Sequence, residues 1–186
     1  MRFNPLKTNR KKMRLKEYNY PLSAYYFITI CTSEKQKLFG EIKSGQMHLS
    51  NYGTIALNEW HKIFERYQIA ESDVVQIMPN HFHAIILVEE FGDNNKFIQK
   101  MNDKRHDIPT ISKIIGAYKS LVANECLKSF KVVHQKIKPE PKMGKIWHRS
   151  FWERIIRTDH ELKNVQEYIR NNPANWSPKI FQQTEM

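Results

Sequence analysis

Short runs of aromatic and β-branched residues along the chain predict the strands of a sheet. The apolar residues that follow His83 occupy both faces of their run, a pattern typical of a central strand that is covered on both sides. Pro79 and Asn80 precede this run and have the composition of a tight turn. The predicted strands are Tyr25 to Thr32, Val74 to Met78, His81 to Val88 and Trp147 to Arg157, with a hairpin over Leu38 to Leu49 that turns at Lys43 to Gln46.

Apolar residues at helical spacing predict two amphipathic helices between these strands. Asn51 is the expected N-cap of the first helix, and Pro109 and Thr110 mark the start of the second. The expected core positions are Ala56, Trp60, Ile63, Phe64 and Tyr67 in the first helix and Ile111, Ile114, Ile115, Tyr118, Leu121 and Val122 in the second. The segment from Glu89 to Asp107 has the composition of a long loop. Strands interleaved with helices predict an α+β fold, in which helices pack on a sheet.

A third helix is predicted near the end of the chain. Thr158 and Glu161 form a capping-box pattern, in which each side chain can bond to the backbone N–H of the other. Pro173 should end the helix, because a residue before proline, here Asn172, is pushed out of the helical region. Tyr168 and Asn172 are four residues apart and can therefore share one helical face. The core stripe of this helix consists of Leu162, Val165 and Ile169.

Two histidines one residue apart are the strongest chemical signal in the sequence. Side chains alternate between faces in an extended strand, so His81 and His83 should project from one face and Phe82 from the other. Two neighbouring imidazoles provide half of a typical metal site. Buried histidines are also often satisfied by hydrogen bonds alone. The spacing therefore leaves both a metal site and a purely structural pair open.

Composition narrows the class of partner. The chain has 186 residues, and its 30 basic residues against 19 acidic ones give a net charge of +11. A polyanion is the expected partner, and nucleic acid is favoured over a membrane because no apolar run approaches the roughly 20 residues of a spanning helix. The N-terminus lacks the apolar segment of a secretory signal, and Cys31 and Cys126 form no CxxC pair. A cytoplasmic location is therefore expected.

The positive charge is concentrated in two segments. Residues 1–16 hold seven basic side chains and no acidic ones, and a second basic stretch extends from Lys128 to Arg149. Both segments can neutralise phosphates, although the first is equally compatible with a solvated tail. We divide the chain into a basic N-terminal arm, residues 1–19, and a single folded domain, residues 20–180.

Three ordered segments of the chain resemble the HUH-type single-tyrosine transposases. They are Met78 to His83, Ile146 to Arg157 and Tyr168 to Trp176. The similarity is greatest to the REP-associated tyrosine transposases, whose opening also matches the residues from Arg14 to Thr32, so the resemblance covers nearly the whole chain. It implies that the domain over residues 20–180 is catalytic and has a ferredoxin-like antiparallel sheet with helices packed on it.

The resemblance also implies an activity and a set of site residues. Transposases of this type cut and rejoin single-stranded DNA beside hairpins through a covalent 5′-phosphotyrosine, with a divalent Mg²⁺ or Mn²⁺ ion as cofactor. His81 and His83 match the metal-binding pair, and Tyr168 matches the nucleophile. Asn172 occupies the position of a third, polar ligand, where related transposases have glutamine.

The implied partner is single-stranded or hairpin DNA, and the implied location is the nucleoid. The resemblance allows a homodimer, in which the tyrosine helix of one subunit would lie beside the histidines of the other. Phosphate contacts are expected from Arg14, Lys16, Lys113, Lys119, Arg149 and Arg154. Trp147, Phe151 and Trp152 could stack on bases, but aromatic residues in an alternating strand are more often core residues, so they stay outside the predicted site.

Two other functions remain open from the sequence. A non-catalytic module on the same fold could bind hairpin DNA or RNA, with His81 and His83 as remnants of a lost site. A zinc hydrolase could also begin with His-x-His, although no nearby Asp-His pair or further histidine cluster completes such a ligand set. A covalent protein–DNA adduct that depends on metal would separate all three.

Overall fold

The structure is a computed structural model that describes residues 23–89, 110–139 and 141–177. The predicted N-terminal arm with Arg14 and Lys16, most of the predicted loop after Glu89, and both bounds of the predicted domain lie outside these residues. The described helices are too short or too polar to cross a membrane. The elements are β1 (Ser23–Cys31), β2 (Gly40–Lys43), β3 (Gln46–Leu49), α1 (Asn51–Arg66), β4 (Ala70–Met78), β5 (His81–Glu89), α2 (Ile111–His134), β6 (Trp152–Ile156) and α3 (Asp159–Asn171).

The main sheet has four antiparallel strands in the order β4-β5-β1-β6. Strands β1, β4, β5 and β6 alternate with helices α1 and α2 in the chain order β-α-β-β-α-β, which is the ferredoxin-like arrangement. The predicted α+β fold is confirmed. Strand β5, which begins with His81, pairs with β4 on one side and β1 on the other, so the histidines lie at the end of a central strand.

The two faces of the sheet have separate cores. Helices α1 and α2 cover one face with a large apolar cluster that includes Trp60, Phe82 and Tyr118, all fully buried. Helix α3 covers the opposite face. The smaller cluster beneath α3 consists of Phe27, Ile85, Ile156, Val165 and Ile169. Because Ile85 is two and four residues from the histidines, the alternation of β5 places both imidazoles on the face that α3 covers.

The β2–β3 hairpin forms where the sequence predicts it, with Lys43 paired to Gln46. Ser44 and Gly45 between them have φ angles of 49° and 73°. Two consecutive positive φ angles match the twist of the flanking strands, and glycine adopts such an angle without steric cost.

Helix α1 begins as predicted, but its N-cap is Ser50 and not Asn51. The Ser50 hydroxyl accepts a hydrogen bond from the Gly53 N–H at 3.1 Å and donates one to the Leu38 carbonyl at 2.7 Å. Asn51 is the first helical residue, and its amide donates to the Ser129 hydroxyl at 2.6 Å on the exposed surface. Ser50 is therefore the N-cap, and its hydroxyl also bonds to the segment that precedes the helix.

We predict that Ser50→Ala lowers the free energy of unfolding by about 1–2 kcal/mol, because a helix N–H and a carbonyl both lose their partner. Asn51→Ala is the matched control, and it should cost less because only an exposed hydrogen bond is lost. Urea unfolding of the two variants measures the difference. Equal losses would contradict the assignment of Ser50 as the cap.

The strand predicted from Trp147 to Arg157 is shorter, since β6 covers only Trp152–Ile156. Trp147 instead forms an isolated bridge with Thr32. The Lys119 ammonium donates hydrogen bonds to the carbonyls of His148 at 2.7 Å and Arg149 at 3.1 Å. These bonds hold the intervening residues against α2, so the prediction of a continuous strand was wrong.

Both ends of α3 differ in detail from the prediction. Thr158 accepts from the Glu161 N–H at 3.1 Å, as expected, but the Glu161 carboxylate accepts from the Arg157 N–H and not from Thr158. Asn172 keeps helical angles, φ −58° and ψ −43°, despite the following proline. Its N–H donates to the Ile169 carbonyl at 3.2 Å. The expected displacement of Asn172 from the helical region was wrong, and its side chain continues the face of Tyr168.

Candidate metal and nucleophile site

The two histidines lie side by side at the start of β5. His83 pairs in register with Thr29 of β1, and His81 pairs with Cys31. Both imidazoles are fully buried, and their ring centroids are 4.6 Å apart. The prediction that they share one face of a strand is confirmed. The period of two in an extended strand brings them together without any contribution from the rest of the fold.

Each imidazole has a hydrogen-bond partner at Nδ1. The Thr29 hydroxyl lies 2.9 Å from Nδ1 of His83, and the Asn80 amide oxygen lies 2.8 Å from Nδ1 of His81. Nε2 of His83 is buried and has no hydrogen-bond partner among the described residues. Buried polar atoms of this kind are rare and often mark the position of an ion. This Nε2 atom is therefore available to a ligand from outside the described residues.

Burial keeps both imidazoles neutral. It lowers the pKa of His83 to about 3, and burial together with the neighbouring His83 lowers the pKa of His81 well below its usual value. A metal ion binds the neutral form of imidazole, because the ligating nitrogen must have a lone pair. Neither histidine has to lose a proton at neutral pH before it can bind a metal ion.

Helix α3 places Tyr168 directly over the histidine face. Val165 and Ile169 are fully buried and anchor the helix on the sheet, and the Gln166 amide donates to the Asp73 carboxylate of β4 at 2.6 Å. The Tyr168 ring packs edge-on against His83, with ring centroids 5.5 Å apart. The tyrosine and both histidines come from the same chain, so these groups meet without a second subunit.

The environment of the Tyr168 hydroxyl is apolar on one side and polar on the other. Burial raises its pKa, and a side-chain hydrogen bond with Asn172 acts in the opposite direction. The Phe27 ring, 6.1 Å from the Tyr168 ring, supplies part of the apolar surroundings. The predicted sharing of a face by Tyr168 and Asn172 is therefore found in the structure, and Asn172 itself is buried.

Three neighbours of the site have no role in the sequence prediction. Thr29 and Asn80 contact the imidazoles, and the Trp176 ring stacks on His81 with centroids 5.7 Å apart and an interplanar angle of 30°. Asn80 could have been found from its place beside His81. Thr29 could not, because its contact depends on the register between β1 and β5, which are 54 residues apart at this point.

The donor set fits a metal ion that accepts nitrogen and oxygen ligands. Two neutral imidazoles lie beside a buried amide, and the unsatisfied Nε2 of His83 gives the site an open donor. The described part of the chain holds no group of three or more His, Cys, Asp or Glu side chains around a common centre. Asn172, which is buried and bonds to the Tyr168 hydroxyl, is the candidate for a third, neutral oxygen ligand.

Comparisons with known proteins show which sequences and folds the chain is similar to. No family model matches the sequence. An uncharacterized protein of Haemophilus influenzae is 32% identical over 173 residues, 90% of each chain. A second Haemophilus influenzae protein, named "Putative REP-associated tyrosine transposase", is 26% identical over 149 residues, 80% of this chain and 69% of that protein. In sequence, the chain therefore resembles the REP-associated tyrosine transposases. A solved REP-associated tyrosine transposase bound to a REP hairpin has the same fold, with a TM-score of 0.56 at 16% identity over 92% of this chain and 81% of that one.

The predicted phosphate contacts differ in their surroundings. Lys113 in the first turn of α2 and Arg149 before β6 are exposed. Lys119 donates to two backbone carbonyls, and Arg154 forms an ion pair with Glu161. Lys113 and Arg149 are therefore the described residues of this set with the most accessible charge.

Trp147 belongs to the core and not to an exposed stacking surface. It is buried against Phe39 and Tyr118, and its indole N–H donates to the Lys119 carbonyl at 3.1 Å. Phe151 and Trp152 are partly buried against the two core clusters. The preference for a core role for these aromatic residues is confirmed for Trp147.

Proposed function

We propose that the protein cuts and rejoins single-stranded DNA beside hairpins, with Tyr168 as the nucleophile and a divalent cation held by His81, His83 and Asn172. The observation that carries the proposal is the packing of Tyr168 against His83, whose buried Nε2 atom has no hydrogen-bond partner among the described residues. Metal-assisted phosphoryl transfer needs a nucleophile close to the metal ligands, and the contact of the two rings brings these residues together.

The chemistry is a transesterification that conserves the number of phosphoester bonds. The Tyr168 oxygen attacks the phosphorus and forms a new P–O bond, while the bond between the phosphorus and the 3′ oxygen breaks. The phenol proton is lost, and the departing 3′ oxygen gains a proton and becomes a free 3′-hydroxyl. The 5′ phosphate stays on the tyrosine. Attack by a second 3′-hydroxyl reverses the step and rejoins two strands without an external energy source.

Different residues of the chain contribute to different parts of this transesterification. Val165 and Ile169 fix α3, and therefore the Tyr168 oxygen, at a constant position above the sheet. Asn172 bonds to the Tyr168 hydroxyl and favours its ionised form, against the effect of burial. A divalent cation, when bound, makes the phosphate more electrophilic and stabilises the charge that develops on it. Mg²⁺ and Mn²⁺ suit the mixed nitrogen and oxygen donors.

Hairpin DNA is the substrate that the charge and the family favour. The net charge of +11 supports binding to a polyanion, and a solved relative of the same fold is bound to a REP hairpin. Lys113 and Arg149 present exposed positive charge for phosphates. The nucleophile and the histidines belong to one chain, so the proposed cleavage needs no dimer.

The test is a cleavage assay with single-stranded hairpin DNA that carries a label on the 3′ side of the expected cut. With Mn²⁺ or Mg²⁺, the label should migrate with the protein on a denaturing gel, and peptide mass spectrometry should find it on Tyr168. Removal of the metal with a chelator should abolish the band, and readdition should restore it. DNA that is retarded on a native gel without any covalent band would support the non-catalytic binding module instead.

A further inference from the structure

Two buried polar side chains contact the imidazoles on the side opposite to Nε2. Thr29 and Asn80 are only 5% and 7% exposed, and each lies within hydrogen-bond distance of an Nδ1 atom. The remaining buried polar side chains include Thr32, whose hydroxyl donates to the Asn80 carbonyl at 2.9 Å. The Thr32 hydroxyl also lies 2.8 Å from the Gln36 carbonyl, so it links the residue before the histidines to the chain after β1.

A neutral imidazole has one N–H group and one lone pair, and the partner at Nδ1 decides which nitrogen has which. The amide oxygen of Asn80 can only accept, so Nδ1 of His81 must donate to it. The lone pair of His81 is then on Nε2. The Thr29 hydroxyl can donate or accept, but the other tautomer of His83 would leave a buried Nε2–H group without an acceptor among the described residues. Orphaned buried N–H groups are rarer than orphaned acceptors, so the proton is favoured on Nδ1 and the lone pair on Nε2.

We infer that Thr29 and Asn80 are positioning residues that hold His83 and His81 as Nδ1–H tautomers, with both Nε2 lone pairs presented to the metal. The metal part of this inference rests on the function proposed above. The tautomer part rests only on the hydrogen bonds. The backbone of Thr29 is held by its register in β1, and that of Asn80 by two hydrogen bonds from Thr32 to its carbonyl at 3.0 and 2.9 Å.

The experiment compares Thr29→Val, which removes the hydroxyl with little change in shape, with Thr29→Ser, which keeps it. Long-range ¹⁵N–¹H NMR spectra of the metal-free protein report which imidazole nitrogen has the proton. The native protein and Thr29→Ser should show His83 as the Nδ1–H tautomer. Thr29→Val should show a mixture or the other tautomer, and its affinity for Co²⁺, followed by absorption, should fall about 10-fold to 100-fold.

Asn80→Ala tests the second contact. Without the Asn80 amide, His81 should no longer be held as the Nδ1–H tautomer, while the tautomer of His83 should stay unchanged. Ser72→Ala is the control, since it removes a hydroxyl that accepts from the Trp60 indole at 2.9 Å and contacts neither histidine. It should change neither the tautomers nor the Co²⁺ affinity. A native-like His83 tautomer and Co²⁺ affinity in folded Thr29→Val would overturn the inference for Thr29, and the same result in Asn80→Ala would overturn it for Asn80.

This design separates the inference from the proposed function. If the native protein has both Nδ1–H tautomers and binds Co²⁺ but forms no covalent DNA adduct, the proposed cleavage fails and the positioning role stands. If the adduct forms and the variants keep native tautomers and affinity, the cleavage stands and the positioning role fails.

Discussion

Replacing Tyr168 by phenylalanine should eliminate the covalent protein–DNA adduct and lower strand transfer by a factor on the order of 10⁴ or more. The substitution removes one oxygen, and that oxygen is the atom that would bond to phosphorus. Val165 and Ile169 anchor α3 on the sheet, so the position of the helix should not change when the hydroxyl is removed. The ring remains, so its edge contacts with Phe27 and His83 should persist.

The matched control is Tyr25→Phe. Tyr25 packs on the same small cluster beneath α3, but it pairs with Leu87 and Ile156, at a distance from the histidine end of the strand. This variant should form the adduct at the native rate. Tyr168→Phe should still retard hairpin DNA on a native gel and should unfold at a temperature close to that of the native protein. A persistent adduct in Tyr168→Phe would exclude this residue as the nucleophile.

The parts of the fold that depend on short-range periodicity could be predicted from the sequence. The alternation over His81, Phe82 and His83 determines which side chains share a face, and a shift of one residue would bury the wrong set. The stripe of Val165 and Ile169 likewise determines which side of α3 meets the sheet. Tyr168 is next to Ile169 in α3. Once Ile169 packs against the sheet, Tyr168 therefore lies close to the sheet face that holds the histidines.

Contacts that compete locally could not be read from the sequence. Ser50 and Asn51 are both good N-caps and adjacent in the chain, and the choice depends on the Leu38 carbonyl, to which the Ser50 hydroxyl donates. Asn172 precedes a proline that disfavours helical angles, yet its N–H bonds to Ile169 and its side chain to Tyr168. In both cases a specific tertiary or side-chain bond outweighs a general preference of about 1 kcal/mol.

The surroundings of the imidazoles depend on strand register, which is a long-range property. Thr29 contacts His83 only because β1 and β5 pair with these residues opposite each other. Trp176 reaches His81 only because the chain continues to turn after α3, with the Asn175 N–H donating to the Asn171 carbonyl at 3.1 Å. The sequence therefore identifies the candidate reactive groups, and the fold adds the residues that contact them.

Replacing His83 by alanine should abolish tight metal binding and lower adduct formation about 10²-fold to 10³-fold, because the phosphate loses electrostatic stabilisation while Tyr168 remains. The variant also loses the ring that packs against Tyr168 and leaves the buried Thr29 hydroxyl without this partner, so a lower free energy of unfolding is expected. Isothermal titration with Mn²⁺ and the denaturing-gel assay measure the two effects separately.

His48→Ala is the matched control for the loss of an imidazole. His48 is an exposed residue of β3, outside the main sheet, and its removal should change neither Mn²⁺ affinity nor the adduct. His83→Ala should still retard hairpin DNA on a native gel, since its exposed basic residues are unchanged. Excess Mn²⁺ should restore part of the adduct if His81 and Asn172 still bind the ion weakly. A His83→Ala protein with native metal affinity and native adduct yield would show that the imidazole pair is structural and that the cation, if any, binds elsewhere.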